Sequence, residues 1–141
     1  MIQVQNAILI HATSSDLFSI YMDYNHWNKL FPLTIRGVKF IKRENNTTTV
    51  EVEHKAAGSV INILSVVSNE EIKLEEFKPV YNAVFINHFK KVDDDTLYTV
   101  RANVSLKGIY RIAKPFVRGL IKNRIKKFVL EPMKAFAEKT I

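Results

Sequence analysis

From Thr34 to Lys107 apolar and polar residues alternate with a period of two. Val50, Val52 and His54 oppose Thr49, Glu51 and Glu53, and Val100, Ala102, Val104 and Leu106 oppose Arg101, Asn103, Ser105 and Lys107. Alternation of this kind marks antiparallel strands with one wet and one buried face. Six strands are predicted over about 35–43, 48–55, 59–67, 71–77, 82–91 and 97–107. Turn residues separate them at Asn45-Asn46, Ala57-Gly58, Ser68-Asn69, Pro79 and Asp93-Asp94-Asp95. An earlier strand is expected where Val4, Ile8 and Ile10 cluster. Thr13-Ser14-Ser15-Asp16 then resembles a capping box, and Leu17, Phe18, Ile20, Tyr21 and Tyr24 recur at helical steps behind it. A second short helix or turn follows over 25–32 and ends at Pro32, because proline disfavours helix at the residue before it.

Past Gly108 the period lengthens to that of a helix. Phe116, Val117, Leu120, Ile121 and Ile125, then Phe128, Val129, Met133 and Phe136, form an apolar stripe expected to pack on the sheet. Pro115 suits a first helical turn, which predicts a helix over about 115–139 with 109–114 as its lead-in and a kink or end at Pro132. Two short helices behind the first strand, a run of antiparallel strands and one long terminal helix make an α+β fold of seven strands. The 141 residues fit one domain over 1–141, with no internal repeat or linker.

Composition narrows the chemistry. There is no cysteine, so disulfides, thiolate nucleophiles and cysteine-held metals are excluded, and a reducing, cytoplasmic setting is expected. Neither a signal peptide nor a run of about 18 apolar residues is visible. The four histidines, His11, His26, His54 and His88, lack metal-ligand spacing, and Glu51 and Glu53 alternate away from His54. The acidic run Asp93-Asp94-Asp95 is too short for a calcium loop and sits where a hairpin must turn. No nucleophile elbow, phosphate-binding loop or dinucleotide fingerprint occurs, so the expectation is neither a catalytic motif nor a metal or cofactor.

The entry Ile10-His11-Ala12 with Phe18 a turn into the next helix, then Asp23, Trp27 and Pro32, then Phe89 before Asp93-Asp94-Asp95-Thr96, then the amphipathic terminal helix, resembles the START-like (SRPBCC) superfamily. That superfamily includes polyketide cyclases, lipid-transfer domains and plant allergens. The spacing Asp23-x-x-x-Trp27-x-x-Leu30-x-Pro32 is similar to a branch of coenzyme Q chaperones and ribosome-associated relatives. The resemblance implies a helix-grip fold, a curved seven-stranded sheet wrapped around the long C-terminal helix, with a hydrophobic ligand in the wedge between them.

The strand parity places His54 beside Val50 and Val52, and Asn62 in a row with Val60, Leu64 and Val66, so both are polar groups in an apolar wall. Val52, Phe85, Phe116 and Leu120 are candidates for that wall, with Tyr110 at the mouth beside Tyr81. Asn87 or His88 is a third polar candidate, because the strand over 82–91 is apolar on both faces. The expected function is binding, transport or chaperoning of a lipid, quinone or polyketide-like molecule. The rival is a cyclase or aromatase that uses pocket residues as acid and base.

Charge adds a further partner. Up to Lys107 the chain carries 12 basic and 12 acidic residues, whereas 108–141 holds 9 against 2, so the whole net charge of +7 lies at the C-terminal end. Arg111, Lys114, Arg118, Lys122 and Lys126 recur at three- and four-residue steps, which stacks like charges along one helix face. Solvent screens such a face, or an anionic membrane surface contacts it transiently. A ribosome or RNA partner is less favoured, because the helix keeps its aromatics on the apolar stripe. Nothing in the sequence sets the oligomeric state.

Overall fold

The computed structural model describes residues 1–140. Seven strands form one antiparallel sheet: β1 (Ile2–Ile10), β2 (Ile35–Glu44), β3 (Thr47–His54), β4 (Gly58–Ser68), β5 (Glu71–Phe77), β6 (Tyr81–Val92) and β7 (Asp95–Leu106). Their order across the sheet is β1-β7-β6-β5-β4-β3-β2, so every pair but β1–β7 is a sequence-adjacent hairpin. Three of the five hairpin turns use residue types that tolerate a left-handed backbone: Asn45 has φ 54°, Asp93 has φ 55° and Gly58 has φ 74°. Register shifts in β2, between Ile35 and Gly37 and between Phe40 and Lys42, bend that edge strand. All six strands of the alternating region lie within two residues of the bounds expected from periodicity.

Helices α1 (Ser14–Met22) and α2 (Trp27–Leu30) cross the concave face between the two edge strands. The Thr13 hydroxyl accepts the Asp16 amide at 3.1 Å, the capping expected from the sequence. Inward residues of α1, α2 and the sheet meet in an aromatic cluster. Tyr21 touches Trp27, Phe31 and Phe89 edge-on at 5.7, 6.4 and 6.3 Å between centroids, and Phe89 stacks on Tyr98 at 5.0 Å. Its polar atoms are satisfied internally: Tyr98 donates to Asn87 Oδ1 at 2.6 Å, Asn87 Nδ2 donates to the Tyr21 hydroxyl at 3.2 Å, and Trp27 Nε1 donates to the Tyr21 carbonyl at 2.8 Å. Burial pushes the hydroxyls of Tyr21 and Tyr98 well above the ordinary phenol range, which keeps both protonated and neutral, Tyr98 as donor and Tyr21 as acceptor toward Asn87.

After β7 the chain makes a 3₁₀ turn (Gly108–Ala113), entered through Gly108 at φ 57°, and continues as α3 (Lys114–Ile125), a π-helical turn (Lys126–Leu130) and α4 (Glu131–Thr140). Pro132 has no N–H, and its ring cannot coexist with the carbonyl of Phe128 in a regular helix. The π turn just before it widens the helix by one residue. The phase of the buried face therefore shifts, and the fully buried helix residues are Ile125, Leu130, Met133 and Ala137, at steps of five, three and four. An unbroken 3.6-residue period places Phe116 and Leu120 on the buried stripe instead. In the structure both are exposed, because the extra residue of the π turn rotates α3 so that Val117, Ile121 and Ile125 face the sheet in their place. α4 is anchored at the far end, where Lys134 Nζ donates to the Leu9 carbonyl at 3.1 Å and the His11 amide donates to Glu138 at 2.9 Å.

The buried network makes a direct stability prediction. Tyr98→Phe strips Asn87 Oδ1 of its donor, so urea unfolding should show a loss of about 1–3 kcal/mol with an unchanged denaturant slope.

Candidate functional site

Between the concave face of the sheet and α3 lies a cavity of about 440 Å³. Its closed end is the aromatic cluster, with Tyr21, Trp27 and Phe31 facing the space. The sheet wall is mainly apolar, built from Val52, Leu74, Phe85, Val100, Val104 and Leu106. The helix contributes Val117, Leu120, Ile121 and Ile125. Each sheet residue is inward because strand parity puts it there: the β3–β4 register pairs Val52 with Val60 and Val50 with Asn62, and the β4–β5 register carries the same face on to Glu76 and Leu74.

The sequence-predicted residues fall into two groups. His54, Asn62, Val52, Asn87, Phe85 and Leu120 line the cavity together. Tyr110 and Phe116 stand on the outer surface and are not among its lining residues. The undecided strand β6 turns Asn87 inward, whereas His88 sits on the outer face with Nε2 3.7 Å from Glu70. Tyr81 lines the rim. Arg111, Lys114, Arg118, Lys122 and Lys126 are all exposed on the outside of the helix.

Glu76, Lys78 and Arg124 also line the cavity and were not singled out from the sequence. The signal for Glu76 was present: it shares parity with Ile72 and Leu74, while the apolar Phe77 is turned to solvent. The Tyr81 hydroxyl donates to Glu76 Oε1 at 2.9 Å and Lys78 Nζ lies 3.1 Å from the same oxygen. Burial disfavours the Lys78 charge, but Glu76 and Tyr81 outweigh it and raise its pKa above the ordinary lysine value. Tyr81 is raised too, by burial first and then by Glu76. A carboxylate, an ammonium and a phenol therefore form one self-satisfied cluster in the cavity wall.

His54 is different in kind. Its Nε2 is buried and has no hydrogen-bond partner within the protein. The other three histidines each face a carboxylate: His11 Nδ1 is 2.6 Å from Asp95, His26 Nδ1 is 2.7 Å from Asp23, and His88 pairs with Glu70. Burial lowers the His54 pKa, opposed by Glu76 and reinforced by Lys78, so the imidazole is neutral at neutral pH. Asn62 is buried nearby with only a long 3.3 Å bond from Nδ2 to the Val60 carbonyl. Among the described residues no group of three or more His, Asp or Glu is placed to hold a metal ion.

The curved antiparallel sheet, the two short helices after its first strand and the long helix over its concavity make this an α+β helix-grip fold. Solved structures agree. A START superfamily protein from Mycobacterium smegmatis superimposes with a TM-score of 0.79 at 18% identity, over 100% of both chains. The Zhui aromatase/cyclase from Streptomyces sp. R1128 gives 0.79 at 12% identity, covering 97% of this chain and 93% of that one. The di-domain aromatase/cyclase StfQ of the steffimycin biosynthetic pathway gives 0.79 at 12% identity, and there the chain spans 51% of the longer protein. No protein-family model and no curated protein matches the chain.

The lowered His54 pKa fixes a sign for pH dependence. Above the ordinary value of 6.5 the group is neutral in both states. As pH falls through that value the unfolded chain takes up a proton that the folded chain refuses, so stability is lost until the folded pKa is passed. His54→Leu should therefore lose less stability than the native chain between about pH 7 and about pH 5, measured by urea unfolding at each pH. It should also be about 1 kcal/mol more stable at neutral pH, because a buried unpaired nitrogen is removed.

Proposed function

We propose that the cavity reversibly binds a small, mainly apolar molecule carrying a polar group, without covalent turnover. The observation that carries this reading is His54 Nε2, buried without a partner in a mainly apolar wall beside a 440 Å³ space. That volume lies within the range of small-molecule sites and suits one ring system or a single chain. Burial of apolar ligand surface supplies the driving force, at roughly 25 cal/mol per Å². Neutral His54 then accepts or donates one hydrogen bond, and Asn62 offers a second, which together orient the guest. Quinones, polyketide-like phenols and single-chain lipids share this chemistry.

A second reading has a specific support. Glu76, Lys78 and Tyr81 place acid–base groups in the same wall, and two of the similar structures are named as aromatase/cyclases. On that reading the bound molecule is converted, and replacing His54 abolishes conversion while binding survives.

Native mass spectrometry after gentle purification, followed by titration with the neutral probe N-phenyl-naphthylamine, tests the proposal. The native chain should bind one probe molecule saturably. Leu74→Trp should block binding by filling the space, and His54→Leu should weaken it roughly tenfold, the value of one buried hydrogen bond. A protein that carries no ligand and takes up no probe overturns the binding reading.

A further inference from the structure

The N-terminal half of the helical segment leaves large apolar side chains in water. Ile109, Ile112, Phe116 and Leu120 are 78%, 79%, 84% and 54% exposed. They recur at steps of three and four and so form one strip along the 3₁₀ turn and α3. Each is followed two positions later by a cation: Arg111, Lys114, Arg118 and Lys122. Two positions on a helix is about 200°, so the cations line the opposite exposed flank. The segment is amphipathic outward, and of the four strip residues only Leu120 also borders the cavity.

We infer that this strip docks the protein on an anionic lipid bilayer, with Ile109, Ile112, Phe116 and Leu120 entering the headgroup–acyl boundary while the cations on the rest of the segment supply the positive potential that draws it to anionic lipid. Three observations favour this occupant. From Lys107 through Lys127 the chain holds eight Lys or Arg and no Asp or Glu, which complements an anionic surface and repels a second copy of the same strip. The apolar members are mostly aliphatic; they cannot stack on bases, so a nucleic-acid partner leaves them unused, whereas a bilayer buries them. No helix among the described residues is long and apolar enough to cross a membrane, so the contact is interfacial. Position adds a consequence. Leu120 belongs both to the strip and to the cavity lining, and Val117, next to Phe116, also lines the cavity. Docking thus sets the cavity rim against lipid, and an apolar guest passes between bilayer and cavity without crossing water; this last step alone rests on the ligand-binding reading.

Flotation with vesicles of pure phosphatidylcholine, and with vesicles containing about one third phosphatidylglycerol, reads the docking directly. The native chain should float with the anionic vesicles at low salt and less so at high salt. The double variant Ile112→Ser, Phe116→Ser keeps every charge and removes two large apolar groups; its binding should fall roughly tenfold or more. Arg118→Glu with Lys122→Glu should abolish binding. In a Phe116→Trp variant the added indole should be quenched by brominated acyl chains, while Trp27, buried in the aromatic cluster, is not. Thermal unfolding of each variant should match the native chain, since the replaced side chains are exposed. Probe binding without vesicles should also be unchanged in the double serine variant, so loss of docking is distinguishable from loss of the cavity. Native protein that ignores anionic vesicles at low salt overturns the inference. So does a double serine variant that binds like the native chain, an added indole that brominated lipid leaves unquenched, or preferential retention on RNA or on an acidic protein.

Discussion

The hydrogen-bonded chain from Tyr98 through Asn87 to Tyr21 is the constraint on which the rest of the arrangement depends. A buried amide between two buried phenols is tolerable when its own donor and acceptor are paired, and α1 meets that condition by setting the Tyr21 hydroxyl against Asn87 Nδ2. Trp27, bonded to the carbonyl of Tyr21, then fixes α2 against the same cluster. One end of the concavity is closed by this tie. The rest of the concavity is covered by the C-terminal helical segment, and the cavity is the space beneath α3 and the π turn that α1 and α2 do not fill.

The C-terminal helix divides at its π turn. From the end of that turn onward Leu130, Met133 and Ala137 are fully buried, and Lys134 and Glu138 bond the helix to the end of β1. Before it the helix touches the protein through a narrower face and presents aliphatic residues outward. One half is an anchor and the other a cover, and the rejection of the Phe128 carbonyl by Pro132 is the local reason for the division. Segments with few buried contacts open at lower free energy than anchored ones, so the cover is the natural route into the cavity.

Much of this was legible in the sequence because two periods dominate it. Strand bounds, the antiparallel order and the inward placement of His54, Asn62 and Val52 follow from alternation alone. Register in β6 was not legible: Ala83 to Ile86 are apolar on both faces, and only pairing with β5 and β7 turns Asn87 inward. The exposure of Phe116 was hidden for another reason. A helical wheel assumes a constant period, and the π turn adds a residue midway. Glu76 was obscured because a carboxylate next to an apolar Phe77 reads as the wet member of the pair, although parity with Leu74 placed it inward. Under the proposed function the guest is selected by cavity shape and by the His54 imidazole, neither of which leaves a sequence motif.

The account turns on whether His54 meets the guest. Imidazole nitrogen resonances of the native chain, followed by NMR while N-phenyl-naphthylamine is added, report this atom directly. The account predicts that His54 is neutral in the free protein and that its Nε2 resonance moves in step with probe occupancy, while those of His11, His26 and His88 stay in place. Saturable probe binding with an unmoved His54 resonance would contradict it.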